Sequence, residues 1–315
     1  MVRPSHVEQI VDWKERRGRS RLGFELIYHL ESLKHHWEKA SSTVEQFSDF
    51  VPMRIATILE VFSRETVRDI IDTGSPYLDR AESLFKNVKI DFWFATNLHG
   101  RRLSLGDIIA HSISVNDITQ VTSVLEKLLP GYREALPKVC DRLSVEVKGS
   151  QPVPIIDDTD LMFTTLGRLF EVRHILTHEI PRTAAYETTE INGFLKAAEA
   201  FLKATDWYVS QQLRGEVPLT QTEMNIHAGD ALQAELENLK EKYSKVEALP
   251  DINKQLLADC QSKWELFSDS EANLHAALVE GGSMYPLVWA SAKQELVRQR
   301  SDQLQWWLER EEGDL

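Results

Sequence analysis

Apolar residues recur at three- and four-residue intervals along most of the chain, the period of helices with one buried face. Leu22–Trp37 carries Phe24, Ile27, Leu30, Leu33 and Trp37 in that spacing. A second run holds Met53, Ile55, Ile58, Leu59, Phe62, Val67, Ile70 and Ile71 and ends at Thr73-Gly-Ser-Pro76. Gly74 stops that helix, and Pro76 suits the first turn of the next. Within the run Glu60 and Arg64 stand four apart, a favourable helical pair. Residues 88–103, with Trp93, Phe94 and Asn97-Leu-His-Gly100, lose the period and leave room for a short extended piece. Ser104 or Asp107 caps a short helix through Ile113. Asn116 or Asp117 starts another to about Leu129, closed by Pro130-Gly131. A helix near 131–143 then precedes a loop at Lys148–Pro154.

Asp157 to Thr159 offer caps for a helix that runs into Leu169-Phe-Glu-Val-Arg-His-Ile-Leu-Thr-His-Glu-Ile-Pro181. Pro181 cannot continue a helix without cost and restricts the residue before it, so the helix is predicted to stop just beyond His178. Arg173 and His178 are five apart, which at about 100° per residue sets them roughly 140° apart around the axis. They can act together only through a bend, long side chains or a second copy of the chain. Thr188–Leu213 is a further amphipathic helix, carrying Phe194, Leu195, Phe201, Leu202, Trp207 and Tyr208. Gly, Pro and a break in period coincide at Arg214–Leu219, the best domain boundary. Beyond it, Ala231–Val246, Ile252–Leu278 and Leu287–Arg310 read as three antiparallel helices, broken at Pro250 and at Gly281-Gly-Ser283. The expected fold is all-α, with an N-terminal helical extension over 1–49, a helical domain over 50–214 and a small three-helix domain over 220–315.

Composition narrows the function. The 315 residues are 42% hydrophobic and 27% charged, with a net charge of −13. An acidic balance argues against a broad nucleic-acid-coating surface but leaves room for a small positive pocket. The basic cluster Lys14, Arg16, Arg17, Arg19 and Arg21 suits either a solvated helix end or contact with RNA phosphates. The first residues lack the apolar core of a signal peptide, and no stretch approaches the roughly 18 apolar residues of a membrane span. A cytoplasmic location without membrane contact follows, in which Cys140 and Cys260 are free thiols.

Arg173, His174 and His178 are the groups best suited to chemistry. A bland account pairs Arg173 with Glu171 or Glu179 and leaves a partly buried histidine. Metal binding is a rival, because His174 and His178 share a helical face at four-residue spacing. A zinc protease needs Glu where Ile175 stands, and spacing identifies no further ligands, so neither metal nor cofactor is expected.

Arg-His-Ile-Leu-Thr-His, after an apolar helical run in an all-α context, resembles the HEPN superfamily, whose ribonuclease members carry an Arg-x4–6-His motif. The likeness extends to Leu59-Glu-Val-Phe-Ser-Arg64, Ser104-Leu-Gly-Asp107 and the Ile118–Leu129 helix, covering about 50–214. It implies metal-independent RNA cleavage by the RNA's own 2′-hydroxyl, in a homodimer whose two motifs line one cleft. Arg173 and His178 become the catalytic pair, with His174 and Glu60 auxiliary. A near-neutral imidazole can move the proton, and a guanidinium can hold the phosphate. The resemblance further implies a toxin or antiphage defence effector, partnered by RNA and by an antitoxin or phage-derived trigger. The alternative is a non-catalytic dimeric scaffold. With an acidic body, RNA contact is confined to the cleft, and a steep salt dependence is not expected.

The last third has a likeness of its own. Gln261-Ser-Lys-Trp264, Gly281-Gly-Ser283 and Gln294-Glu-Leu-Val-Arg-Gln-Arg300 with Leu304 are similar to the lysozyme-inhibitor LprI-like domain. That resemblance implies cysteines flanking the Gly-Gly segment, where this chain has Asn273 and the Ser291–Ala292 region. The departure fits a binding or assembly module in a reducing compartment. Trp264 and Trp289 read as core residues.

Overall fold

The computed structural model describes residues 6–17, 23–40, 45–85, 103–179, 183–215 and 217–310, and its described residues are helical with no strand. The expected irregular segment around Trp93, Phe94 and Asn97–Gly100 lies outside them, as do Arg19, Arg21 and the Arg17 side chain. The chain divides into two compact units, Met1–Val217 and Pro218–Leu315.

In the first unit the longer helices are α1 (His6–Arg17), α2 (Gly23–Ala40), α3 (Glu45–Asp72), α4 (Leu105–Ser112), α5 (Ile118–Leu128), α6 (Thr159–His178) and α7 (Glu190–Arg214). α3 is the central element and packs against α2, α4, α5, α6 and α7. Ile55, Leu59, Phe62, Ile70 and Ile71 are buried there in one core with Leu30 and Trp37 of α2, Leu125 of α5, Leu166 and Leu169 of α6, and Phe194 and Phe201 of α7. The segment over 1–49 therefore supplies part of this core through α2. α1 holds a smaller cluster in which Val7 and Ile10 meet Ile108 of α4.

The helix ends follow local chemistry. Ser104 caps α4 in a reciprocal box with Asp107, and the Asp117 and Asp158 side chains cap α5 and α6. Gly74, at φ 97°, ends the chain's departure from α3 in a conformation only glycine adopts freely. The helix expected after Pro76 is reduced to single turns at Tyr77–Arg80 and Glu82–Phe85. The helix expected near 131–143 is likewise only a turn at Tyr132–Ala135 and a 3-10 turn at Leu136–Lys138. Pro137 lacks the N–H a continuing helix needs, and Cys140 instead bridges to Pro154 as a single antiparallel pair. Tyr132 anchors this corner, fully buried with its hydroxyl 2.7 Å from Thr205 Oγ1.

The second unit holds α8 (Gln221–Glu247), α9 (Lys254–Ala276) and α10 (Tyr285–Glu309). α8 begins ten residues before the expected Ala231, because Thr220 and Glu223 form a capping box: Glu223 N–H donates to Thr220 Oγ1 at 3.2 Å and Thr220 N–H to Glu223 Oε2 at 3.0 Å. α10 is central and packs against both α8 and α9. Leu232, Leu239 and Val246 meet Ala290, Val297 and Leu304 in its core, with Trp264 and Trp289 partly buried against them.

Candidate functional site

α6 presents Met162, Leu166, Leu169, Phe170 and Val172 to the core, which fixes the rotation of the helix and hence the direction of the residues that follow. Arg173 comes next to Val172 and points along the bundle toward α3. Its Nη2 lies 3.2 Å from Glu60 Oε1, with the two side chains 27% and 20% exposed. Neither Glu171 nor Glu179 is the partner, as the bland account had it; Glu171 meets Arg168 at 3.5 Å instead.

Glu60 also differs from expectation. Its neighbour Arg64 turns to the C-terminal end of α4, where Nη1 donates to the carbonyls of Ala110 at 2.6 Å and His111 at 3.1 Å. Those carbonyls are among the acceptors a helix end leaves unpaired, and a cation is favoured beside them. The Glu60 carboxylate thus feels two guanidiniums but is in ion-pair range of Arg173. Burial raises its carboxyl above the ordinary value, and Arg173 and then Arg64 pull it part of the way back. Burial wins over the ion pair because Oε1 is shut off from water without a well-formed hydrogen bond. For Arg64 burial lowers the guanidinium and Glu60 opposes the shift.

The histidines occupy a different face. His174 and His178 are both exposed, with ring centroids 4.9 Å apart and planes tilted by 52°. His178 is the last residue of α6, and Glu179 N–H closes the helix on the Ile175 carbonyl at 2.8 Å. Thr177 Oγ1 donates to the Arg173 carbonyl at 2.7 Å on the same turn. Within one chain, then, the structure joins Arg173 to Glu60 and His178 to His174. Among the described residues no three His, Cys, Asp or Glu side chains gather as a metal-holding group, and the two imidazoles stand as a pair.

Of the basic cluster, Lys14 pairs with the buried Asp107, so it serves to hold α1 on α4, while Arg16 is exposed. A cavity of about 670 Å³, lined by Lys138, Cys140, Arg142, Trp207, Tyr208 and Gln211 among others, is separate from Glu60, Arg173, His174 and His178. Its charges are already matched, Arg142 with Glu146 at 2.6 Å and Lys138 with Glu134 at 3.1 Å.

In the second unit the polar feature is a buried lysine. Lys293 Nζ donates to Ser268 Oγ at 2.7 Å and Asp269 Oδ1 at 2.6 Å, and lies 5.4 Å from the centroid of the Trp264 ring. Nearby, Asn273 Oδ1 accepts from Trp289 Nε1 at 3.0 Å and Tyr285 hydroxyl at 3.4 Å, tying α9 to α10 across the Gly281-Gly282 turn. The family model of the lysozyme inhibitor LprI matches residues 217–304. The match falls almost wholly on the second unit and leaves residues 1–216 and 305–315 uncovered. In the LprI-like unit, Asn273 accepts the hydrogen bonds that hold the two helices together, and Cys260 there is a free thiol, as is Cys140 in the first unit. No curated protein and no solved structure matches the chain. No helix among the described residues is long and apolar enough to cross a membrane.

Proposed function

We propose that the first unit is a metal-independent endoribonuclease of HEPN type, joined to an LprI-like unit that recognises protein. The observation that carries the reading is the end of α6: a guanidinium held at 3.2 Å by Glu60, followed by two exposed imidazoles whose ring centroids are 4.9 Å from each other. A guanidinium has five N–H donors, so a pair with one carboxylate leaves donors over for a phosphodiester. An imidazole takes the 2′-hydroxyl proton, the 2′-oxygen attacks phosphorus, and the bond to the 5′-oxygen breaks. The leaving oxygen collects a proton from an imidazolium, so the products are a 2′,3′-cyclic phosphate and a 5′-hydroxyl. Arg173 turns inward while His178 sits exposed at the helix end. A homodimer that sets one copy's motif against the other's completes the cleft, and a toxin or antiphage effector role goes with it.

Purified full-length chain, Arg173→Lys and His178→Ala are incubated with structured and unstructured RNA in EDTA. Cleavage lost in both variants supports the nuclease. Cleavage that persists in them, or that requires added zinc or manganese, refutes it. No cleavage of any RNA favours the non-catalytic scaffold, whose motif is then a structural ion pair.

A second reading rests on the match at 217–304. Lysozyme inhibition by the full chain, measured as slowed lysis of bacterial cell walls, tests whether the LprI-like unit keeps the activity for which that family is named. No inhibition at a large molar excess refutes it.

A further inference from the structure

His174 and His178 stand one turn apart on the same face of α6, and both rings are exposed. Neither imidazole is hydrogen-bonded to another described residue, so each ring offers its lone pair to a ligand. Their ring centroids are 4.9 Å apart. A zinc–nitrogen bond is about 2.0–2.1 Å and a ring nitrogen lies about 1.2 Å from its centroid, so two imidazoles on one tetrahedral ion hold their centroids about 5 Å apart. The pair already stands at the separation of a chelate. His35 and His36 do not: adjacent helical residues diverge by about 100°. Their centroids are 5.9 Å apart, and His36 Nδ1 is engaged with the Ser32 carbonyl at 2.6 Å.

The surroundings favour a cation. His178 is the last residue of α6, where the open carbonyls of a helix end carry partial negative charge. The exposed Glu179 follows it. Arg173, whose charge would oppose a cation, is turned away to Glu60 at 3.2 Å. Imidazole ligands suit zinc, copper and nickel, whereas magnesium and calcium take oxygen.

We propose that His174 and His178 chelate a zinc-type divalent ion, with water in its remaining positions, and that the ion inhibits the chain by occupying the imidazole lone pairs. The chelate stands apart from the ribonuclease reading, whereas the inhibition rests on it. An imidazole bonded to the ion cannot accept the 2′-hydroxyl proton, so zinc slows RNA cleavage where a metal-using nuclease would be accelerated.

Full-length chain stripped of metal is titrated with zinc chloride against a chromophoric chelator. The parent is expected to bind an ion whose affinity falls roughly tenfold or more in His174→Ala and in His178→Ala, since each removes one of two protein ligands. His227→Ala, which removes an exposed histidine of α8, should leave that affinity unchanged. Equal zinc affinity in the parent and the two α6 variants, or no zinc bound by the parent, overturns the chelate. RNA cleavage by the parent is then followed as zinc is added. Half-inhibition at the zinc concentration that half-fills the site supports the regulation. Full cleavage with the site filled, or half-inhibition more than tenfold away from half-filling, overturns the regulation and leaves the chelate. A parent that binds zinc but cleaves no RNA in its absence overturns the ribonuclease reading and the inhibition together, and again leaves the chelate.

Discussion

Replacing Arg173 by alanine removes a candidate catalytic group and, in the same stroke, the counter-charge of a shielded carboxylate. The structural part can be sized. At an effective dielectric of about 20, two unit charges some 4 Å apart attract by about 4 kcal/mol. Exposed pairs retain about 0–1 kcal/mol of this, and breaking a fully buried pair costs about 3–5 kcal/mol. Glu60 and Arg173 lie between, at 20% and 27% exposure, so Arg173→Ala is expected to destabilise the first unit by roughly 1–3 kcal/mol at neutral pH. Glu60→Gln costs less, because the guanidinium it leaves behind can reach water. The pH dependence carries the stronger test. The Glu60 carboxyl is raised in the folded chain, chiefly by burial. Its folded form therefore binds more protons than the unfolded one between the ordinary and the raised value. Its favourable contribution is complete below the ordinary value and is lost as pH rises through the raised one. Without Arg173, whose charge lowers the shift, the raised value climbs further and the loss steepens. Arg173→Ala should therefore recover stability relative to the parent as pH falls from about 7 to about 5, toward the neutral acid. Urea titrations of parent, Arg173→Ala, Glu60→Gln and the double variant, followed by helix content and read at the transition of the first unit, measure this. An Arg173→Ala cost that is the same at both pH values, or a double variant no better than Arg173→Ala, refutes the reasoning.

Three further outcomes are expected. Gly106→Ala places a Cβ 2.6 Å from the Arg68 carbonyl oxygen and 2.5 Å from Asp72 Oδ1, so it should lower the thermal midpoint at a cost of about 1–3 kcal/mol, although alanine is the better helix former. A stabilised variant would show that α3 and α4 do not approach this closely. Lys293→Met should stay within about 1 kcal/mol of the parent in urea, since a flexible apolar chain replaces a buried cation, whereas Lys293→Ala leaves a cavity and costs about 2–4 kcal/mol. Tyr186, whose hydroxyl donates to Asp49 Oδ1 at 3.1 Å, is pushed up to about 12, first by burial. Its contribution is present below the ordinary tyrosine value and lost as pH climbs through about 12, so Tyr186→Phe should flatten the alkaline fall in stability on a melting-point series.

What could be read from the residues was what the chain settles locally. Ser104, Asp117 and Asp158 cap helices because a side chain reaches a backbone N–H two or three residues on, and the pattern is visible in a one-dimensional string. Pro181 marked the end of α6 at His178 for the same reason. Thr220 and Glu223 carry an equally local signal, and it starts α8 ten residues before the expected Ala231. The expected helix near 131–143 was lost to a competing local effect, the missing donor of Pro137, compounded by the pairing of Cys140 with Pro154.

The partners of charged groups were not legible, because the nearest opposite charge along a helix is seldom the nearest in space. Arg173 has Glu171 and Glu179 within two turns, and Glu60 has Arg64. The bundle instead brings residues 60 and 173 together from helices more than a hundred residues apart, while Arg64 is drawn to the open carbonyls of α4. The same holds for Lys14, which looked like part of a solvated cluster and is spent on Asp107. This bears on how the end of α6 is judged. A motif match nominates residues by their order in the chain, but only packing decides which remain available to a substrate. Here packing leaves His174 and His178 in solvent and gives Arg173 a fixed carboxylate partner. The histidine variants are thus the cleaner probe of chemistry, and the arginine variants must be read against the stability they remove.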